Sequence, residues 1–383
     1  MSGSAMISSR MELKELLQEK MVDSYDSVNQ NQELNEGETY LKSYLIESER
    51  PTTKGLLGDT EDYRLKRDKT RESDFENIQI RKLGSDKKAR FYIENLDERF
   101  WAVHSLAKSK NSDSLLDKLV FPRFTKLDYS WLSNSFLRNI GESPRNDFRS
   151  FSLKFEDEFQ KARSQEDGSE HPTAREISKM SMRLWGENAK KVLSTLSGDE
   201  TLGKSTSLSN VGIRRAFDDG RILLEDITHT AKFTARGDSV DGHFYQIEEI
   251  KDKYKDILYS LEEDYAIKRG VDKYGGNLTG EPVLISFDRE ITDFESFFST
   301  LLGSTKPFRL WGLENQIDED YYSVSAVDLH TGDELDLEVA PNWMRIYLPE
   351  DSCGNVILRL YTNIQHYFDS EATLEGSMHG QII

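Results

Sequence analysis

Apolar residues step by three and four along one stretch near the start of the chain. Leu13, Leu16, Leu17, Met21, Val22 and Tyr25 fall on one stripe over residues 10–28, which predicts an amphipathic helix. Ser9 followed three residues later by Glu12 is the pairing that caps such a helix. Ile247, Ile250, Tyr254, Ile257, Leu261 and Tyr265 repeat the stepping over residues 244–267, and Ile357, Leu360, Tyr361, Ile364 and Phe368 repeat it again. Between these stretches the pattern shortens to alternation, which predicts strands. Residues 211–217 and 221–227 read as a hairpin turning at Asp218-Asp219-Gly220; residues 322–329 and 334–339 read as another, turning at Thr331-Gly332.

These patterns recur in order. Arg-Leu-Trp-Gly stands at Arg183–Gly186 and again at Arg309–Gly312, each time before a hairpin, a third strand, an Asp-Ser pair and a periodic helix. From the turn glycine to that pair is 18 residues in one block (Gly220 to Asp238) and 19 in the other (Gly332 to Asp351). A looser copy without the tetrapeptide precedes them, with strands over 78–83, 89–95 and 98–105 and then Ser112-Asp113-Ser114 opening a helix. A meander with alternating residues buries one face and needs a cover. The expected fold is therefore α+β, built of tandem pseudo-repeats of an antiparallel three-stranded meander closed by a helix, behind an N-terminal amphipathic helix. The expected divisions are a helical segment (1–47), a charged linker or arm (48–76), three α+β blocks (77–145, 146–270 and 281–370) and a tail (371–383).

Charge changes this picture in one place. The 383 residues carry 50 Lys and Arg against 69 Asp and Glu, a formal net charge of −19, which by itself disfavours polyanionic partners. Residues 64–90 invert the balance, with ten basic residues against five acidic ones. Within that arm Lys66, Arg67, Lys69, Lys87 and Lys88 are the candidate contacts for a partner's phosphates or acidic groups. A single cysteine, Cys353, excludes a disulfide framework and any cysteine-rich metal site, and fits a reducing, cytoplasmic setting. No apolar run approaches the roughly 18 residues that span a bilayer, so no membrane contact is expected.

Three constellations could carry chemistry. Gly198, Gly203, Lys204 and Ser205 match the phosphate-loop pattern, with Asp288 as an aspartate to hold magnesium. The working form of that loop needs a strand before it and a helix after it, whereas a helix-like run precedes this one and a hairpin follows. In the last hairpin, packing Val327 and Leu329 with Leu335, Leu337 and Val339 sets Asp328 opposite Asp336 and His330 opposite Glu334 through a three-residue loop. Asp328, His330, Glu334 and Asp336 are then a candidate divalent-metal set, or an acidic face neutralised by Arg345. Cys353, at the start of the last helix, is a candidate thiolate with His330 as its base and the Gly354 and Asn355 amides as oxyanion donors. The histidines 104, 171, 229, 243 and 379 show no metal-binding spacing, and Trp101, Trp185 and Trp311 read as core.

The sequence thus predicts a non-enzymatic interaction or regulatory module for a macromolecular partner, protein or nucleic acid, met through the basic arm. No cofactor is required. The alternatives are a metal-dependent hydrolase at residues 328–338 and a nucleotide-binding switch at residues 198–205.

Overall fold

The computed structural model describes residues 7–31, 33–48, 58–121, 126–159, 177–272, 275–376 and 380–382. Among these residues the chain forms seven α-helices and large antiparallel sheets, a mixed α+β architecture with a helix at its N-terminal end. The helices are α1 (Arg10–Asn31), α2 (Ser109–Val120), α3 (Asn134–Glu142), α4 (Ala189–Ser197), α5 (Val240–Ser260), α6 (Phe294–Leu301) and α7 (Asn355–Tyr367). The first strands are β1 (Leu41–Ser48), β2 (Tyr63–Asp68), β3 (Phe75–Lys82), β4 (Lys88–Asn95), β5 (Phe100–Ser105), β6 (Leu127–Tyr129), β7 (Asp147–Glu156), β8 (Lys179–Trp185), β9 (Leu208–Ala216), β10 (Ile222–Thr228) and β11 (Lys232–Gly237). They are followed by β12 (Lys268–Asp272), β13 (Gly275–Thr279), β14 (Val283–Ser286), β15 (Leu310–Asp318), β16 (Tyr321–Asp328), β17 (Glu334–Ala340), β18 (Trp343–Tyr347), β19 (Thr373–Gly376) and β20 (Gly380–Gln381).

The chain divides into two compact units. The first takes in Met1–Ser130, Ser143–Asp147 and Gly212–Asp252; the second takes in Trp131–Glu142, Phe148–Val211 and Lys253–Ile383.

In the first unit the strands lie in the order β2-β3-β4-β5-β1-β11-β10, with β6 also paired to β1. The expected helix starts at Arg10, where Ser9 Oγ accepts from the Glu12 amide and the Glu12 carboxylate accepts from the Ser8 amide. Its stripe is used as the spacing implied: Leu13, Leu17 and Met21 are buried on Leu41, Phe75, Tyr92, Leu223 and Ala235. Residues 48–76 are not simply a linker. Residues 49–57 lie outside the described residues, but β2 and the start of β3 follow, because Tyr63 and Leu65 alternate and an edge strand needs only one buried face. Helix α2 begins one turn before Ser112, whose hydroxyl donates back to the Lys108 and Ser109 carbonyls from inside the helix.

The second unit holds the ladder β7–β8 and a seven-stranded sheet ordered β15-β16-β17-β18-β14-β19-β20. Helix α7 was expected to be amphipathic, yet every residue from Asn355 to His366 is buried. Several of its polar side chains are bonded instead: Asn355 accepts from Tyr254, Gln365 accepts from the Asn134 amide, and His366 Nδ1 lies 2.7 Å from Ser207 Oγ. A meander followed by a helix does occur at β3–β4–β5 and α2, at β9–β10–β11 and α5, and at β16–β17–β18 and α7. The two tetrapeptides, however, stand in different places. Arg183–Trp185 ends β8, which pairs with β7, whereas Leu310–Gly312 begins β15, which pairs directly with its meander.

Strand β1 is buried along its whole length, although it reads Leu-Lys-Ser-Tyr-Leu-Ile-Glu-Ser. On one face Tyr44 donates to Asp113 at 2.6 Å, and Lys232 Nζ reaches the same carboxylate at 2.7 Å. Lys42 lies beside them, only 1 % exposed. Burial, and then the Lys232 charge, push its ammonium down to about 8, against the pull of Asp113. Lys42→Met should therefore stabilise the protein at neutral pH by about 3 kcal/mol, the free energy of a shift of roughly two and a half units. In the wild type, stability should rise with pH from about 8 up to the unfolded value of 10.5, since the unfolded chain holds that proton longer. Urea unfolding of both proteins across that range should show the advantage of the methionine shrinking as pH rises.

Candidate nucleic-acid interface and the buried groups around it

The predicted basic arm is folded into strands, and the ladder sorts its charges onto two faces. Leu65 pairs with Ile80 and Arg67 with Ile78, so Leu65 and Arg67 share the side that carries the buried Ile78, Ile80, Ala89 and Phe91. Arg67 on that side is ion-paired with Glu76, 2.5 Å away. Opposite this, Arg64 pairs directly with Arg81, and Arg81 directly with Lys88, on three neighbouring strands. All three are exposed, as is Lys66 on the same face. Deeper on that face Arg90 is turned inward, donating to Asp68 at 2.6 Å and to Asn77 at 2.9 Å. Of the residues singled out in the sequence, Lys66 and Lys88 belong to this open face. Arg67 belongs to the other, Lys69 lies just past the end of β2, and Lys87 lies in the β3–β4 turn.

Like charges opposed across a ladder repel. Arg64 Nε has Asp59 at 3.6 Å, which offsets part of that repulsion. An anion laid over the row would offset more.

On the inner strands the same face carries a chain of hydrogen bonds that the sequence reading missed. Ser43 Oγ lies 2.7 Å from His104 Nδ1 and 2.7 Å from His243 Nε2. His243 Nδ1 is 2.5 Å from Glu225 Oε1, and His104 Nε2 is 3.0 Å from Glu94 Oε2. Burial holds His104 below its ordinary value, so its neutral ring donates from Nε2 to Glu94 and accepts at Nδ1 from Ser43. For Glu94, burial pushes the carboxyl up, but the His104 bond and the Arg10 charge outweigh it and leave a carboxylate. Arg10 Nε is 3.2 Å from Glu94.

Ser43, His243 and Glu225 share the connectivity of a hydrolytic triad, but a nucleophile must reach its substrate. Ser43 is fully buried in the middle of β1. The chain therefore cross-links β1, β4, β5, β10 and α5. A cavity of about 190 Å³ opens beside His104, lined also by Arg10, Glu94, Leu96, Phe244 and Glu248. No spacing rule could reveal this group, since its members come from five elements between residues 43 and 243.

The last hairpin closes through a longer loop than expected. Val327 pairs with Glu334 and Ser325 with Asp336, leaving residues 329–333 as the loop. That register puts Asp328 on the buried face with Val324, Ala326, Leu335 and Leu337, while Glu334 and Asp336 face outward. The four expected metal ligands are thus split between two faces. Among the described residues no group of three or more His, Cys, Asp or Glu is disposed to hold a metal. Asp328 is ion-paired with Arg359 of α7 and accepts from the His330 amide and the Thr331 hydroxyl. Burial would raise its carboxyl, but the Arg359 charge and these bonds hold it below the usual range. His330 is buried, with Nδ1 accepting from Arg309 at 3.2 Å. Cys353 is half-buried just before α7, and the Gly354 amide donates to Glu262 at 2.7 Å rather than serving as an oxyanion donor. Arg345 does meet Glu338, at 3.3 Å, on the outer face.

The phosphate-loop match fares no better. Helix α4 precedes it and β9 follows. Its amides are spent locally: those of Thr201 and Leu202 on the Asp199 side chain, Gly203 on the Asp199 carbonyl, and Ser205 on the Leu202 carbonyl. Lys204 Nζ is 3.1 Å from Asp288, so the expected magnesium ligand is the lysine's counterion. Gly198 caps the end of α4. His171 and His379 lie outside the described residues. Trp101 is core as expected, whereas Trp185 and Trp311 are 64 % and 52 % exposed.

A family model described as MJECL33-like protein matches residues 1–383, the whole chain. The chain belongs to the MJECL33-like protein family. It is similar to a relative named uncharacterized protein MJECL33 from Methanocaldococcus jannaschii, with 30 % identity over 427 aligned positions covering 100 % of this chain and 98 % of the relative. No solved structure matches. No helix among the described residues is long and apolar enough to cross a membrane.

Two variants separate the structural roles argued here. Arg359→Leu leaves the Asp328 carboxylate buried and unpaired and should cost about 3 to 5 kcal/mol in urea unfolding, a loss that added manganese or zinc does not restore. Folded His104 takes a proton less readily than the unfolded ring, whose ordinary value is 6.5. Stability should therefore fall as pH drops below that value and level off below the folded one. His104→Gln should flatten that slope below about pH 6.5.

Proposed function

We propose that the protein is an interaction module whose first unit binds the phosphate backbone of a nucleic acid on the open face of β2, β3 and β4. The observation that carries this reading is the row Arg64–Arg81–Lys88, three exposed cations directly opposed on neighbouring strands of a chain with net charge −19. Neighbouring strands lie about 4.8 Å apart, so the row is about 10 Å long. That is close to three nucleotide steps of about 3.4 Å along one strand. Lys66 and Gln79 on the same face extend it with a fourth cation and a side-chain amide. In this reading the protein acts in the cytoplasm and needs no cofactor. The two later meander-and-helix blocks are read as copies of one ancestral unit, on the order of their elements and their near-equal turn-to-helix spacing.

Four neutralised phosphates give a slope of about −3 in log affinity against log salt. Fluorescence anisotropy with a labelled single strand and with a duplex measures it directly. Arg81→Glu with Lys88→Glu should weaken binding to any sequence and flatten the slope by about 2. An unchanged slope and affinity in the double variant would remove the proposal.

A further inference from the structure

A second surface lies wholly within the other unit, at the free edge of the seven-stranded sheet. Strand β15 ends that sheet and is nine residues long. Only Leu310 is buried along it. Natural edge strands are usually short, or interrupted by lysine or proline, because an open ladder recruits other chains. This one reads Leu-Trp-Gly-Leu-Glu-Asn-Gln-Ile-Asp. It holds no proline and no basic residue, and it is bulged only between Gln316 and Asp318.

Its two faces differ in chemistry. Trp311 and Leu313 alternate on one face at 52 % and 68 % exposure, and Ile317 at the bulge adds a third apolar side chain at 55 %. The other face carries Gly312, Glu314 and Gln316, with Glu319 and Asp320 in the turn beyond, whereas Asp318, opposite Tyr321 past the bulge, returns to the Trp311 face. Gly312 lets the strand approach β16 closely: a Cβ there would stand 2.7 Å from the Ser325 carbonyl oxygen.

We propose that β15 is a docking edge for an extended peptide segment that alternates apolar and basic residues and adds to the sheet as one more strand. Its apolar side chains lie against Trp311, Leu313 and Ile317, and its basic ones lie across from Glu314, with Glu319 and Asp320 beyond. Strand addition supplies affinity through main-chain hydrogen bonds and specificity through alternate side chains. A second copy of this chain is the poorer occupant. A two-fold pairing of β15 with itself brings no cation to Glu314, since neither strand holds a basic residue.

The test uses the full chain and a labelled, end-blocked peptide alternating valine and lysine, nine residues long to match β15. A peptide of the same composition with its lysines clustered is the control, as is the alternating peptide N-methylated at every second amide. The alternating peptide should bind and both controls should not. Leu313→Ser should weaken binding by about tenfold. Glu314→Lys should weaken it similarly while improving binding of an alternating valine–glutamate peptide. That charge-swap gain separates docking from misfolding of the variant. Equal binding of all three peptides, or indifference to both substitutions, would overturn the proposal. So would light scattering that shows a dimer of the wild type dispersed by Leu313→Ser, since the occupant would then be a second copy.

Discussion

Strand β1 sets the terms for the first unit. It lies between β5 on one side and β11 and β6 on the other, with all eight residues buried. Such a strand is expected to be apolar throughout, yet Lys42, Ser43, Tyr44, Glu47 and Ser48 interrupt it. Each polar side chain taken from water must find a partner or destabilise the fold. The partners are drawn from across the unit. Asp113 of α2 and Lys232 of β11 serve one face, and His104 of β5 and His243 of α5, backed by Glu94 and Glu225, serve the other. The central strand is thus fastened by directional bonds on both sides, which fixes its register more tightly than apolar contacts could.

Fixing that register also fixes what the outer strands display. From β1 the ladder passes through β5 and β4 to β3 and β2 in one antiparallel sequence of pairs. A slip of one residue anywhere along it would turn Arg64, Arg81 and Lys88 inward. Helix α1 covers the inner part of this face and leaves the cationic row open. The buried relay and the basic surface are two ends of one constraint. A single face cannot alternate between imidazole cross-links and surface cations unless every strand between them is in register.

Periodicity makes α1, α5, α7 and the turn glycines legible in the sequence, because those signals are local, whereas α3 and α6 carried no reading. The stripe of α1, the turns at Gly220 and Gly332 and the strands around them fall where the alternation puts them. Register was not legible. The last hairpin was read as burying Leu329, but Ala326 and Val324 fill that face, and Asp328 goes inward because Arg359 waits there. Hydrophobic pattern alone cannot anticipate a buried carboxylate, since its partner lies on a helix that follows two strands later. The Lys204 loop misled in the opposite way. Its residues match a pattern whose meaning depends on free amides, and here the amides are bonded within the loop.

Trp185 and Trp311 show a deeper ambiguity in reading apolar residues. A tryptophan in a strand pattern predicts core, because burial of so large a ring is strongly favourable. That inference holds only where another layer of the same chain covers the strand. At β15 nothing among the described residues shields Trp311, Leu313 or Ile317, and Trp185 stands equally open at the end of β8, under the Arg183 guanidinium. Apolar side chains left in water on a sheet edge weaken solubility and invite aggregation. Unlike the polar residues of β1, they gain nothing from their own fold. A hydrophobic pattern that builds a core where a second layer covers it leaves its side chains in water where none does, so the pattern alone does not fix which outcome a strand meets.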